Sequence, residues 1–252
     1  MNGDKGLRNC VFLWLGFLVI VYGWIVPDAT AMVIFGWTGN SSAGVPVQFE
    51  ADMSIAGDTL TIVLQNNSPT NSLNPNDTLG SFYFDIVGPG NTRPTLTYTS
   101  ATGDLYTGSK DNPDPLVQAG ANLIAPSENY NWMYKAMNVA FSPGKAFGIG
   151  CVGNNNLTPN NLDGQDGVDG AIYRTEVVTQ NLDGRNLVKN SATFTFTGVA
   201  GFTEAQIVST VAFGMGTAPD SLQTGTIIPE PSGVALTFVG LILLGLLSRR
   251  RR

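Results

Sequence analysis

The chain has 252 residues, no histidine, 13 Lys and Arg against 19 Asp and Glu, and a formal net charge of −6. Without histidine a Ser-His-Asp triad cannot form, and a thiol lacks its usual activating base. Between Met32 and Ile228 seven basic residues face sixteen acidic ones, a net −9 that repels phosphate backbones and argues against nucleic acid as a partner.

At the N-terminus Lys5 and Arg8 precede an uncharged apolar run from Val11 to Val26, followed by Ala29-Thr30-Ala31. A basic start, an apolar stretch and a small-x-small site are the parts of an export signal, so residues 1–31 are expected to be a signal helix cleaved beside Ala29 and Ala31. Cys10 would leave with it, and Cys151, in the apolar context Phe147-Gly-Ile-Gly-Cys-Val-Gly153, then has no partner for a disulfide. It is expected to be a buried small hydrophobe.

From residue 32 the chain is rich in Gly, Asn, Thr and Pro and shows short strand-like runs in place of helical periodicity. The clearest pair is Phe49–Ile55 and Thr59–Gln65, joined by Ala56-Gly57-Asp58, which predicts a hairpin with glycine supplying a positive φ. In the second run Leu60, Ile62 and Leu64 alternate with Thr59, Thr61 and Val63, as in a strand with one face in a core. Further strands are expected at Leu79–Val87, Pro94–Thr99, Lys145–Ile149, Ala171–Val178, Ser191–Thr197 and Gln206–Phe213. Turn clusters such as Asn74-Pro-Asn-Asp77 and Gly88-Pro-Gly-Asn91 separate them. Short helices are considered at Ser127–Met137 and at Thr203-Glu-Ala-Gln206. About eight strands on this spacing point to an all-β domain, a single antiparallel β-sandwich of jelly-roll type, over residues 32–226.

Asn154 to Gly170 is the most polar stretch, with Asp163, Asp166 and Asp169 each followed by Gly. A hard cation takes six to eight oxygens, so these three are candidate Ca²⁺ ligands, although the period of three does not fit the EF-hand pattern. Asp, Asn and Gly equally build an ordinary solvated loop, which needs no cofactor. Trp37, Tyr130, Trp132 and Tyr134 are candidates for a sugar-stacking surface or for the core. Asn40, Asn66, Asn76 and Asn156 stand in Asn-x-Ser/Thr sequences, and no single pair among the carboxylates is selected as catalytic.

The C-terminus, residues 227–252, carries Pro229-Glu230-Pro231, fifteen uncharged residues from Gly233 to Leu247, and Arg249, Arg250, Arg251 and Arg252. As a helix the apolar run is about 22 Å long, short of a hydrocarbon layer of about 30 Å, and would span with local thinning and snorkelling. The arginines would hold the terminus in the cytoplasm, which puts the acidic domain outside the inner membrane. Two prolines just before the run keep the backbone extended and accessible to a processing enzyme.

These parts in this order resemble the PEP-CTERM proteins of Gram-negative bacteria. The resemblance implies a sorting signal of Pro229, Glu230, Pro231 and the four arginines, recognised by an exosortase after signal peptidase has acted. It implies a precursor held transiently in the inner membrane, then delivery to the cell surface or extracellular matrix, with a link to exopolysaccharide and biofilm. The segments Asp58–Ser68, Leu79–Ile86 and Ile207–Thr217 are similar to strands of such surface domains. A non-enzymatic surface protein is the expectation; a carbohydrate-binding module, Ca²⁺-assisted or not, and a carboxylate-dependent glycan hydrolase are the alternatives.

Overall fold

The computed structural model describes residues 31–72, 74–109, 115–125, 128–136, 145–152, 168–174, 182–217 and 221–229. The expected signal helix up to residue 30 and the tail from Glu230 onward lie outside the described residues. Among the described residues no helix is long and apolar enough to cross a membrane.

Among the described residues twelve strands form: β1 Met32–Asn40, β2 Pro46–Ala56, β3 Thr59–Asn66, β4 Leu79–Phe84, β5 Thr97–Thr107, β6 Leu116–Asn122, β7 Met133–Ala136, β8 Phe147–Gly150, β9 Ile172–Tyr173, β10 Asn186–Thr197, β11 Thr210–Met215 and β12 Leu222–Ile227. The all-β class expected from the sequence is therefore what forms. In the β2–β3 hairpin Ile55 pairs with Leu60 and Ala56 with Thr59, and Gly57 turns the chain at φ 62°. Residues of β2 alternate without a break: Val47, Phe49, Ala51, Met53 and Ile55 are buried, while Gln48, Glu50, Asp52 and Ser54 are half-buried. The same period in β10 sends Ala192, Phe194 and Phe196 inward. Period-two burial is the signature of a sheet with one face in a core.

The strands follow the order β6-β5-β10-β3-β2-β1-β12-β11-β4-β8-β7, and β9 pairs with both β10 and β4. Through β9 the path closes into an eight-stranded barrel, β1-β2-β3-β10-β9-β4-β11-β12, with β5–β6 and β8–β7 as extensions. Both closures are narrow. β1 meets β12 over two residue pairs, Phe35 with Ile227 and Gly36 with Thr226. β9 meets β10 at Val188 and Lys189 and meets β4 at Leu79. The β9–β10 pairing is parallel, so the expectation of a purely antiparallel sheet is corrected there. A parallel pair cannot be joined by a tight hairpin, and the long connection from Arg174 to Arg185 makes this one feasible.

The core is aromatic. Phe49 and Phe213 lie 6.1 Å apart by ring centroid, Phe82 and Phe213 5.3 Å, Phe84 and Phe147 5.4 Å, and Phe84 and Phe196 6.3 Å. Burying each such ring contributes about 2–3 kcal/mol, and the tilted pairings add up to about 1 kcal/mol each. Two local expectations change. Part of the Ser127–Met137 segment considered for a helix is strand β7, which pairs Met133 with Gly150 and Ala136 with Phe147. Glu204–Gln206 does form a short turn of 3-10 helix.

Candidate functional site

Three polar clusters stand out against this apolar frame. The first lies at the foot of the Asp/Gly/Asn-rich stretch. Asp169 is 5% exposed; its Oδ1 accepts the Asn186 N–H at 2.7 Å and its Oδ2 accepts from Arg185 Nη1 at 3.1 Å. Gly170 comes next at φ 82°, and its carbonyl accepts the Trp132 indole N–H at 2.8 Å. Both oxygens of Asp169 thus serve the entry into β10, a structural use that the sequence alone did not separate from metal ligation. Asp163 and Asp166, the other two candidate ligands, lie outside the described residues.

Beside this cluster Trp132 is fully buried and packs on Phe194 with centroids 4.9 Å apart. It belongs to the core and offers no face to a sugar. Tyr134 and Tyr98 pack on Phe196 at 5.1 and 5.0 Å, and their buried hydroxyls have no hydrogen-bond partner among the described residues. Burial pushes both phenols well above the usual tyrosine range. Trp37, on β1, stacks on Phe49 at 5.9 Å. The four aromatics considered for a stacking platform therefore include one core tryptophan and two rings fastened to different core phenylalanines.

Cys151 is also fully buried, and its Sγ donates to the Gly80 carbonyl at 3.4 Å. Desolvation drives its thiol far above the ordinary value, so little thiolate forms at neutral pH. The expectation of an inert buried cysteine matches this environment.

The second cluster was hidden inside a strand. Glu50 and Asp52 sit two residues apart on β2, and the two-residue period places both on its outer face. Gln65 Nε2 donates to Asp52 Oδ2 at 2.9 Å, and Asn67 Nδ2 approaches Glu50 Oε2 at 3.5 Å. Burial, and then the neighbouring Glu50 charge, raise the Asp52 pKa, with the Gln65 hydrogen bond opposing them. Alternation within Phe49–Ile55 was the signal that could have found this pair.

The third joins β4 to the loop after it. Asp85 is 2% exposed and receives Arg93 Nε at 2.9 Å and Nη2 at 2.8 Å, besides the Ile86 N–H at 2.9 Å. Lys145 donates to Thr210 Oγ1 at 2.7 Å, and desolvation lowers its pKa while Asp85 acts against that shift. A bidentate arginine on a buried carboxylate whose two oxygens both accept hydrogen bonds is a fastening.

Of the Asn-x-Ser/Thr asparagines, Asn66 is fully buried and donates to the carbonyls of Asp77 and Ile172, both at 3.1 Å. It ties β3 to β9 and is closed to modification in the folded protein. Of the residues expected to form the sorting signal and the cleavage site, Ala31 and Pro229 are described and both are exposed. Pro229 comes directly after Ile228, whose N–H donates to the Ile34 carbonyl at 2.8 Å, the last ladder bond among the described residues. Ala29, Glu230, Pro231 and Arg249 to Arg252 lie outside the described residues.

Compared with known proteins, the chain matches no family model, no curated protein and no solved structure.

Proposed function

We propose that this is an exported, non-enzymatic surface or matrix protein whose C-terminal tail is the substrate of a membrane-embedded exosortase. The observation that carries the reading is the order Pro229-Glu230-Pro231, apolar run, Arg249 to Arg252 at the chain end, opposite an export signal. Its placement supports it: the tripeptide begins one residue after the last described backbone bond of the barrel, and its first residue, Pro229, is exposed. Cleavage there would leave every strand intact.

In this reading the precursor is held in the inner membrane by the apolar run, the arginines fix its orientation, and the acidic barrel stands outside, near exopolysaccharide. The finer fold reading belongs here as well: the barrel acts as a sandwich of two facing sheets, β6-β5-β10-β3-β2-β1 and β12-β11-β4-β8-β7. The narrow β1–β12 and β9 closures support it, as do the Phe49–Phe213 and Phe84–Phe196 contacts between the two groups of strands. The test is replacement of Arg249 to Arg252 by neutral residues, with fractionation and sizing of the product. Loss of membrane retention and of processing is expected, and unchanged processing would refute the role assigned to the tail.

A further inference from the structure

The exposed large apolar side chains of the described residues fall into two places, Leu116 and Val117 on β6, and Met32, Ile227 and Ile228 where β1 begins and β12 ends. The second group is the more informative, because the apolar C-terminal run begins only a few residues beyond it. Phe35 pairs with Ile227 and Ile228 bonds to Ile34, so the first residue of β1 and the last of β12 emerge at one end of the barrel. Ile228 lies over Gly36, and a Cβ at that glycine would collide with its Cδ1. The side chain is thus seated in a notch, and the chain is pinned as far as Ile228.

From Ile228 to Gly233, where the apolar run starts, there are only five residue steps. Fully extended they reach about 17 Å. The headgroup layer takes up about 6 Å of that. The remaining gap of about 10 Å is narrower than the barrel, and less if the strap bends at its two prolines.

We propose that, while the tail is inserted, this end of the barrel rests on the lipid surface, with Met32, Ile227 and Ile228 against the bilayer. The docking rests on the reading of the tail as a membrane anchor. The charged groups at the same end are Asp58 in the β2–β3 turn, Glu204, whose Oε1 accepts the Ile55 N–H at 2.8 Å, the Asp85–Arg93 pair after β4, and Lys145, which donates to Thr210 Oγ1 at 2.7 Å where β11 begins beside Thr226. The signs are mixed and Arg93 and Lys145 are engaged by Asp85 and Thr210, so the short strap and the apolar side chains, not headgroup charge, hold this end.

The mature chain, residues 32–252, whose one cysteine is the buried Cys151, is reconstituted into vesicles of phosphatidylethanolamine and phosphatidylglycerol. Fluorophores are attached at Thr226→Cys, beside the patch, or at Val117→Cys on β6, which four strands separate from β1. Lipids with a quencher on the headgroup are expected to quench the Thr226 label several-fold more than the Val117 label. A Gly-Ser spacer of about twenty residues between Ile228 and Pro229 adds about 25 Å of reach and should remove the difference. Equal quenching at the two positions, in a chain that survives an alkaline wash of the vesicles, overturns the docking and leaves the anchor standing. A difference that survives the spacer overturns the strap as its cause. Release of the chain by the wash overturns the anchor and the docking together.

Discussion

Asn66→Ala removes one buried side chain that joins three parts of the barrel. Its Nδ2 donates to the Asp77 and Ile172 carbonyls at 3.1 Å, and its Oδ1 accepts from the Ser68 N–H at 3.2 Å and from Ser68 Oγ at 2.5 Å. A net hydrogen bond is worth about 1 kcal/mol, and a buried group left without its partner costs about as much again. Asp77 O keeps a donor in Ser72 Oγ at 3.2 Å, which limits the damage at that carbonyl. Adding the two carbonyl bonds and the Ser68 pair gives a loss of about 3 kcal/mol. With a urea slope of about 2 kcal/mol per molar, the unfolding midpoint should fall by about 1.5 M. Circular dichroism and tryptophan fluorescence should report the same transition. Asn67→Ala, one residue on and only half-buried, should shift it by less than about 0.3 M. If Asn66→Ala behaves like that control, the closure of the barrel at β9 does not depend on this asparagine and the reasoning is wrong.

The remaining predictions concern the polar and special-backbone positions. Asp52 has its folded pKa raised above the unfolded value, so the native state holds the proton more tightly and stability falls as pH rises from near 3.8 through the folded pKa. Asp52→Asn should flatten that slope and leave the protein at least as stable at neutral pH, which denaturation at a series of pH values will check. Cys151 should resist thiol reagents in native buffer and react once urea unfolds the chain; fast native reaction would contradict its burial. Gly170→Ala combines φ 82° with a Cβ only 2.5 Å from the Tyr130 carbonyl oxygen, so it should destabilise the fold by at least about 2 kcal/mol in the same urea assay.

How much of the fold and its polar clusters was legible in the sequence varies with the physics of each element. The β2–β3 hairpin was legible because alternation and a turn glycine are local signals. Strand β4 was found too, although all six of its residues are buried, as its run of Phe and Tyr has no helical spacing. By contrast β12 is Leu-Gln-Thr-Gly-Thr-Ile, with a glycine inside and no apolar alternation, and only its partners make it a strand. β7 contains Met133, Tyr134, Lys135 and Ala136, residues that suit a helix as well as a strand, and pairing with β8 decided between them. The parallel contact of β9 with β10 is two residues long and carries no sequence signal at all. In the polar clusters, Asp169 was singled out for its spacing, but Arg185 and Asn186, which claim its oxygens, lie beyond any local pattern. The Glu50 and Asp52 pair was available from alternation, whereas Asp85 with Arg93 required the loop that brings them together.

The two-pair seam between β1 and β12 also sets the order of events during synthesis. Phe35 is among the first residues of the barrel to be made and Ile227 among the last, so their contact has nearly the largest sequence separation the barrel permits. Pairings of such separation form slowly, since the intervening chain must be ordered first. A chain emerging from the ribosome cannot close its barrel until the final strand has emerged. Until then β1 and β11 each present an unpaired edge, the condition in which β-proteins associate wrongly. Completion of the fold therefore waits on β12, and the last strand to emerge acts as a timer for the barrel.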